Sequence, residues 1–306
     1  KNLPLANTLK KIGDDGAKAF YASNITNDMV DTLRSLGGLH TLEDFENQKT
    51  IFSETINNKY KDYYLHQCPH NGPGIIVLIM MALLEKFDFK NISPESFERF
   101  HIQTEISKIA YEIKETKLGD PNFAKIDFYK FLQNNFINSL FKKISMNKVY
   151  DSKKYFVTSH PETIYLTVVD KDLNAVSFIN SLCYAFGSGI TSENTGVLFQ
   201  NRGVNFRLKD SHPNVIQGFK RPLHTIIPGL LNDKKNNVIF SYGVMGGQYQ
   251  PIGQSHILQN IYDFNMNLQE AIEFPRAFML NDKLKIEKKF FNKSFKTLKN
   301  LGHNIF

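Results

Sequence analysis

Thr163 stands at the head of a β-branched run, Thr163-Ile164-Tyr165-Leu166-Thr167-Val168-Val169-Asp170, directly after Pro161-Glu162. A hydroxyl in that position can serve a self-cleaving hydrolase. Scission of the Glu162–Thr163 bond would leave Thr163 with a free α-amine whose reference pKa is about 7.7–8, close enough to neutrality to take the proton of its own hydroxyl. One residue would then supply both nucleophile and base. On spacing alone the plainer reading is a strand that happens to begin with Thr. A second chemical signal lies downstream, where Asn237-Val-Ile-Phe-Ser-Tyr-Gly-Val-Met245 reads as a buried strand running into Gly246-Gly247. Paired glycines let the backbone turn N–H groups toward an incoming oxygen. Each such donor on a developing oxyanion is typically worth about 3 kcal/mol. Most Gly-Gly pairs are nevertheless ordinary tight turns.

These two features sit within a longer ordered set. Downstream of Thr163 come Phe186-Gly-Ser-Gly189, Thr195-Gly-Val-Leu-Phe-Gln-Asn-Arg-Gly203, Lys220-Arg-Pro-Leu-His-Thr225 and Gly243-Val-Met-Gly-Gly247. Upstream come Asn2-Leu-Pro-Leu-Ala-Asn-Thr-Leu9, Gly37-Gly-Leu39, Asn71-Gly-Pro-Gly74 and Gly119-Asp-Pro121. Together they resemble the γ-glutamyltransferase (γ-glutamyltranspeptidase) family of N-terminal-nucleophile hydrolases, from about Leu3 to about Asn304.

The resemblance implies an α+β fold, the four-layer αββα sandwich of that hydrolase type. Residues 1–162 would be the C-terminal part of the large-subunit region and 163–306 the small-subunit region, together one αββα domain. It makes Thr163 the autoprocessing and catalytic nucleophile, Glu162 the residue on the other side of the cut, and Gly246 with Gly247 the oxyanion hole. Ser181 falls where the family keeps a hydroxyl that hydrogen-bonds the nucleophile. Arg202 and Asn205 fall in the loop that grips the α-amino and α-carboxylate groups of a γ-glutamyl donor, and His224-Thr225 occupy the place of a substrate-binding hydroxyl pair.

Two of these positions depart from glutathione-cleaving members. Asn205 stands where they place an Asp whose carboxylate pairs with the donor's ammonium; an amide accepts a hydrogen bond but gives up the ion pair. His224 replaces a Ser. Both changes point to the acylase-like branch. Asn205 also has the plain reading of a turn residue. The implied substrate is a small γ-glutamyl or related acyl amide, with water or an amine or amino acid as acceptor, large and small subunits after self-cleavage, and no metal or organic cofactor. Members ordinarily carry an upstream Arg for the donor carboxylate and a further downstream strand region, so the chain reads as an internal fragment. The alternative is a degenerate paralogue that keeps the fold without turnover. Localisation stays open between periplasm and cytoplasm.

Composition narrows the other classes. The 306 residues, 42% hydrophobic, are enough for a large core. The net charge of +7 comes from Lys spread along the chain, with short clusters such as Lys142-Lys143 and Lys234-Lys235 and no stripe interleaved with aromatics, which argues against nucleic acid. The 26 Phe read as core. Cys68 and Cys183 read as unpaired, the latter buried or lining the site. His66, Cys68 and His70 alternate as metal ligands can, but Pro69 and the loop that follows bring no fourth donor, which argues against zinc. The run Ile75 to Leu84 is too short to span a bilayer and reads as a buried helix, with no membrane span elsewhere.

The elements that must position the chemistry follow from periodicity and caps. Helices are expected over Thr8–Tyr21 and Thr26–Ser35, after a capping box at Thr41, from Ser93-Pro94 to Lys117, and over Tyr129–Ile144. Tyr150–Pro161 reads as an exposed linker before the scission point. Strands are expected over Ile164–Asp170, Ala175–Leu182, Gly196–Gln200 and Val238–Val244, then helices over Gln254–Phe264 and Leu268–Glu273.

Overall fold

The computed structural model describes residues 1–69, 71–152, 163–280, 283–287 and 291–305. The chain divides into two compact units, one of residues 1–53 with 182–202 and one of residues 54–181 with 203–306.

The first unit begins with α1 (Leu3–Asp15), whose first turn is capped by Asn2 and carries Pro4. The single helix expected over Thr8–Tyr21 is broken at Gly16, which adopts φ +73°, so that α2 (Lys18–Tyr21) is separate. α3 (Asn24–Ser35) starts from Ser23 through a box with Thr26. The expected capping box at Thr41 opens α4 (Leu42–Glu46), the Thr41 N–H donating to Asp44 Oδ2 at 2.7 Å. Residues 182–202 lock onto these helices. Thr8 Oγ1 donates to the Thr195 carbonyl at 2.8 Å, and Asp28 accepts from the backbone and side chains of Asn194 and Thr195. No strand forms over Gly196–Gln200; an isolated bridge, Thr191 to Leu198, stands there, because the backbone turns back at Gly196 with φ +65°.

The second unit is organised on a four-stranded antiparallel sheet. A hairpin that the sequence reading passed over, β1 (Ile56–Tyr60) and β2 (Tyr63–Gln67), joins β5 (Gly229–Asn232) and β6 (Val238–Tyr242) in the order β1-β2-β5-β6. The expected buried helix α5 (Gly74–Leu84) is buried at every residue and packs on β1, β2, α6 (Phe97–Lys117) and α9 (Gln250–Tyr262). α6 is capped by Ser96, three residues later than expected, since Ser93-Pro94 closes a turn in which the Ser96 N–H meets the Ser93 carbonyl at 3.0 Å. α7 (Pro121–Ala124) follows. The helix expected over Tyr129–Ile144 is a 3-10 turn, Phe128–Leu132, and then α8 (Asn134–Phe141).

β3 (Ile164–Val169) and β4 (Ala175–Asn180) form a two-stranded antiparallel sheet, and β4 lies against β6. α9 starts four residues earlier than expected, with Pro251 in its first turn. α10 (Leu268–Glu273) is capped by Asn267 and Glu270. A further hairpin, β7 (Ala277–Leu280) with β8 (Lys283–Ile286), and α11 (Phe291–Asn300) complete the unit.

Phe89 and Phe100 lie in the core as expected of the aromatics, but Phe52, Phe186 and Phe219 are exposed. Neither cysteine is in a disulfide, Cys68 being exposed and Cys183 buried. No helix among the described residues is long and apolar enough to cross a membrane.

Candidate active site

Thr163 precedes β3 by one residue and is buried, with 8% of its surface exposed. The β3–β4 register pairs Ile164 with Asn180, and continued by one residue it sets Thr163 across from Ser181. The nucleophile candidate and the hydroxyl assigned to assist it therefore share one end of one hairpin. Glu162 falls in 153–162, outside the described residues, as do His70 and most of the expected linker.

Tyr165, on β3, ties this hairpin to the second candidate loop. Its hydroxyl bonds Ser177 Oγ at 3.0 Å and Ser241 Oγ at 2.9 Å, and its ring covers Gly243, where a side chain would overlap it. Gly243 begins the run to Gly246 and Gly247, which adopt φ +120° and +54°. Gly246 caps the 3-10 turn Gly247–Tyr249, its carbonyl accepting from the Tyr249 N–H at 2.9 Å, and α9 follows at once. A corner of this kind, at the positive end of a helical segment, suits a developing negative charge.

The 220–227 segment is held from three sides. Asp120 accepts from the Arg221 N–H at 2.9 Å and from Arg221 Nε and Nη2 at 3.2 Å each. Burial alone would raise the Asp120 carboxyl, but the Arg221 fork and the N–H groups of Arg221 and Asn122 outweigh it and hold the group below the usual carboxylate range. Asn71 receives the His224 N–H at 3.1 Å and donates its amide to the Pro222 carbonyl, while the His224 ring lies directly over Gly72. Beyond the buried Thr225, the Ile227 N–H donates to Gln250 Oε1 at 3.3 Å and its carbonyl accepts from Gln254. Gln254 Oε1 in turn accepts from Gln67 at 2.8 Å, and Gln67 also donates to the Tyr242 hydroxyl at 3.1 Å.

Asn205 joins the same network through the backbone. Its carbonyl accepts from Asn214 Nδ2 at 2.7 Å, and Asn214 Oδ1 accepts from the Leu223 N–H at 3.2 Å. Thr163, Ser181, Asn205, His224, Thr225, Gly246 and Gly247 thus all stand on linked segments of the second unit. Arg202 belongs to the first unit; there its N–H meets Gln200 Oε1, and burial lowers its guanidinium from the usual range, with Cys183 acting the other way. Cys183, buried in that unit with φ +81°, lies two residues after Ser181.

The residues that hold these loops, Gln67, Asp120, Asn214, Gln250 and Gln254, were not singled out by type. A signal was available in Gln250 and Gln254 at i and i+4, since buried polar side chains at that spacing face a common partner. Among the described residues the group of His, Asp, Glu or Cys side chains close enough to share a metal ion is His101, Glu105 and His303, none of them in these loops.

The arrangement has relatives. The fold is α+β, of the N-terminal-nucleophile hydrolase class: the chain superposes with a TM-score of 0.90 on the crystal structure of cephalosporin acylase from Bacillus halodurans, at 30% identity over 99% of this chain and 55% of that one. The Gamma-glutamyltranspeptidase family profile matches residues 1–305, and the chain belongs to that family. It is 32% identical over 98% of its length to the glutathione hydrolase-like YwrD proenzyme of Bacillus subtilis (strain 168), and 29% identical over 98% to the glutathione hydrolase proenzyme of Escherichia coli (strain K12). It spans 58% and 55% of those two proteins.

Proposed function

We propose that this chain carries the self-processing and catalytic half of an amidohydrolase or acyltransferase that cleaves a γ-glutamyl or related acyl amide bond. The observation that supports the reading most is the shared hairpin end of Thr163 and Ser181, tied through Tyr165 and Gly243 to the Gly246-Gly247 corner.

Cleavage of the Glu162–Thr163 bond releases the Thr163 amine. In turnover the Thr163 Oγ attacks the substrate carbonyl while the α-amine takes the hydroxyl proton, and the N–H groups of Gly246 and Gly247 hold the oxyanion. Collapse expels the amine, which receives that proton, and leaves an acyl ester on Thr163. Water or an acceptor amine then attacks the ester, gives its proton to the α-amine, and restores the hydroxyl. Ser181 orients the nucleophile. Arg202, Asn205, His224 and Thr225 contact the acyl portion; for Arg202 the support is its place in the matched loop alone.

The acylase-like branch is favoured by Asn205 and His224, which give the pocket no carboxylate for a donor ammonium. Steady-state kinetics on γ-glutamyl-p-nitroanilide and a glutaryl amide, which differ by that ammonium, test it. Wild type should prefer the glutaryl amide, and Asn205→Asp should raise kcat/KM on the γ-glutamyl substrate by at least tenfold. An Asn205→Asp variant with unchanged preference would refute the pocket assignment.

A further inference from the structure

A second cluster of potential ligands is made of residues that the acyl-transfer reading does not use. α6 places His101 and Glu105 one helical turn apart on the same face, and His303 meets them from the chain's C-terminal segment. One ligand atom from each of the three lies within 4.8 Å of the other two. All three are buried, His101 and Glu105 at 0% exposure and His303 at 3%.

The hydrogen bonds leave ligand atoms on hand. His101 Nε2 lies 2.7 Å from the Ser145 carbonyl, which can only accept, so the proton is on Nε2 and Nδ1 presents its lone pair inward. A carbonyl holding the far N–H is the usual support of a metal-binding imidazole. His101 Nδ1 faces His303 Nε2 at 2.8 Å, and His303 Nδ1 has no hydrogen-bond partner. Pairing with His101 therefore accounts for only one of the two nitrogens of a ring buried this fully. Glu105 receives Lys108 Nζ at 2.9 Å on Oε1 and the Tyr150 N–H on Oε2. A carboxylate has about four acceptor sites, so two remain.

We propose that His101, Glu105 and His303 form a binding site for a divalent transition metal of the zinc class, two imidazoles and one carboxylate that leave the fourth position to water. Zn–N bonds of about 2.0–2.1 Å put two imidazole nitrogens of a tetrahedral site about 3.3 Å apart, so the rings need to part by roughly half an ångström. Lys108 is the resident cation against Glu105 and the metal's competitor. The metal would join two stretches of the second unit, α6 and the C-terminal turn, where His303 N–H meets the Leu298 carbonyl at 3.1 Å and Ile305 bridges to Leu284, while its ligands His101 and Glu105 hold the segment Ser145–Tyr150 by hydrogen bonds.

The test is titration of the whole chelator-treated chain with Zn²⁺ by calorimetry and with Co²⁺ by visible absorption. Expected are one equivalent bound with micromolar or tighter affinity, tetrahedral Co²⁺ bands, and at least a 100-fold weakening in both His101→Gln and His303→Gln. Lys108→Met, which removes the competing cation and keeps the length of the side chain, should tighten binding at least tenfold. Circular dichroism in chelator checks that the variants fold; if the histidine variants do not, the Lys108→Met comparison decides alone, and unchanged or weaker binding there overturns the site. Absence of binding below millimolar metal, or binding that survives both histidine substitutions, overturns it as well.

Discussion

Gly246 and Gly247 are glycines because of their own backbone, whereas Gly72, Gly74 and Gly119 are glycines because of their neighbours. The first pair adopts φ +120° and +54°, conformations that side chains strain. The other three have ordinary φ, but a methyl group on Gly72 would overlap the His224 ring, one on Gly74 would reach the Cys68 carbonyl and the Gln67 side chain, and one on Gly119 would overlap the Pro213 carbonyl. The corner after β6 is shaped to present N–H groups. The loops around Asn71 and Asp120 are shaped so that the 213–225 segment can press against them. Chemistry and clamping thus draw on the same residue type for different physical reasons, and substitutions separate them.

Gly119→Ala should have the largest effect on stability. The atoms it meets are backbone on both sides, so neither can swing away, and overpacking of this kind costs about 3 kcal/mol. Urea denaturation measures it; a loss under about 0.5 kcal/mol would mean the Gly119–Pro213 approach is not tight.

Gly72→Ala meets a side chain, which can move. Its cost should be about 1–2 kcal/mol, with most of it recovered in the Gly72→Ala/His224→Ala double variant, since the two residues are in contact and their effects couple. Additive costs in that cycle would show that His224 is not what the missing Cβ makes room for. Gly246→Ala should be mildest for folding, about 1 kcal/mol from strain with a nearby Tyr249 ring at 3.1 Å, yet it should lower turnover at least 100-fold at a temperature where the variant is fully folded. A folded Gly246→Ala with wild-type turnover would reduce the corner to an ordinary turn.

How much of this was legible follows the same division. The strands β3, β4 and β6, the helix α5 and the capping box before α4 could be read because local pattern and local caps specify them, although β6 is exposed at Val238 and Ile239 where a buried strand was expected. The break at Gly16 was missed because the helical spacing runs through it, and only the positive φ of one glycine stops the helix. β1 and β2 escaped because Asn57, Asn58 and Lys59 break the apolar alternation; the strands are held by pairing with each other and with β5. Gly196–Gln200 looked like a strand, but only Leu198 makes a bridge, to Thr191, and Val197, Leu198 and Phe199 line a cavity with Phe20, Met29 and Leu33. For the candidate site, the roles proposed for Thr163, Ser181, Gly246 and Gly247 come from the family resemblance, while the Asp120–Arg221 fork and the glutamines on Ile227 join residues about 100 and 25 positions apart, which no local pattern encodes.

The central claim is that Thr163 becomes an N-terminal nucleophile. Intact mass spectrometry of freshly purified chain, wild type beside Thr163→Ala, after prolonged incubation, tests it most directly. Two pieces meeting at Glu162 and Thr163 in the wild type, and a single uncut chain in the variant, are the predicted result. Cleavage at that bond in Thr163→Ala, or a wild-type chain that stays whole while Thr163→Ala hydrolyses acyl amides as well as it does, would contradict the account.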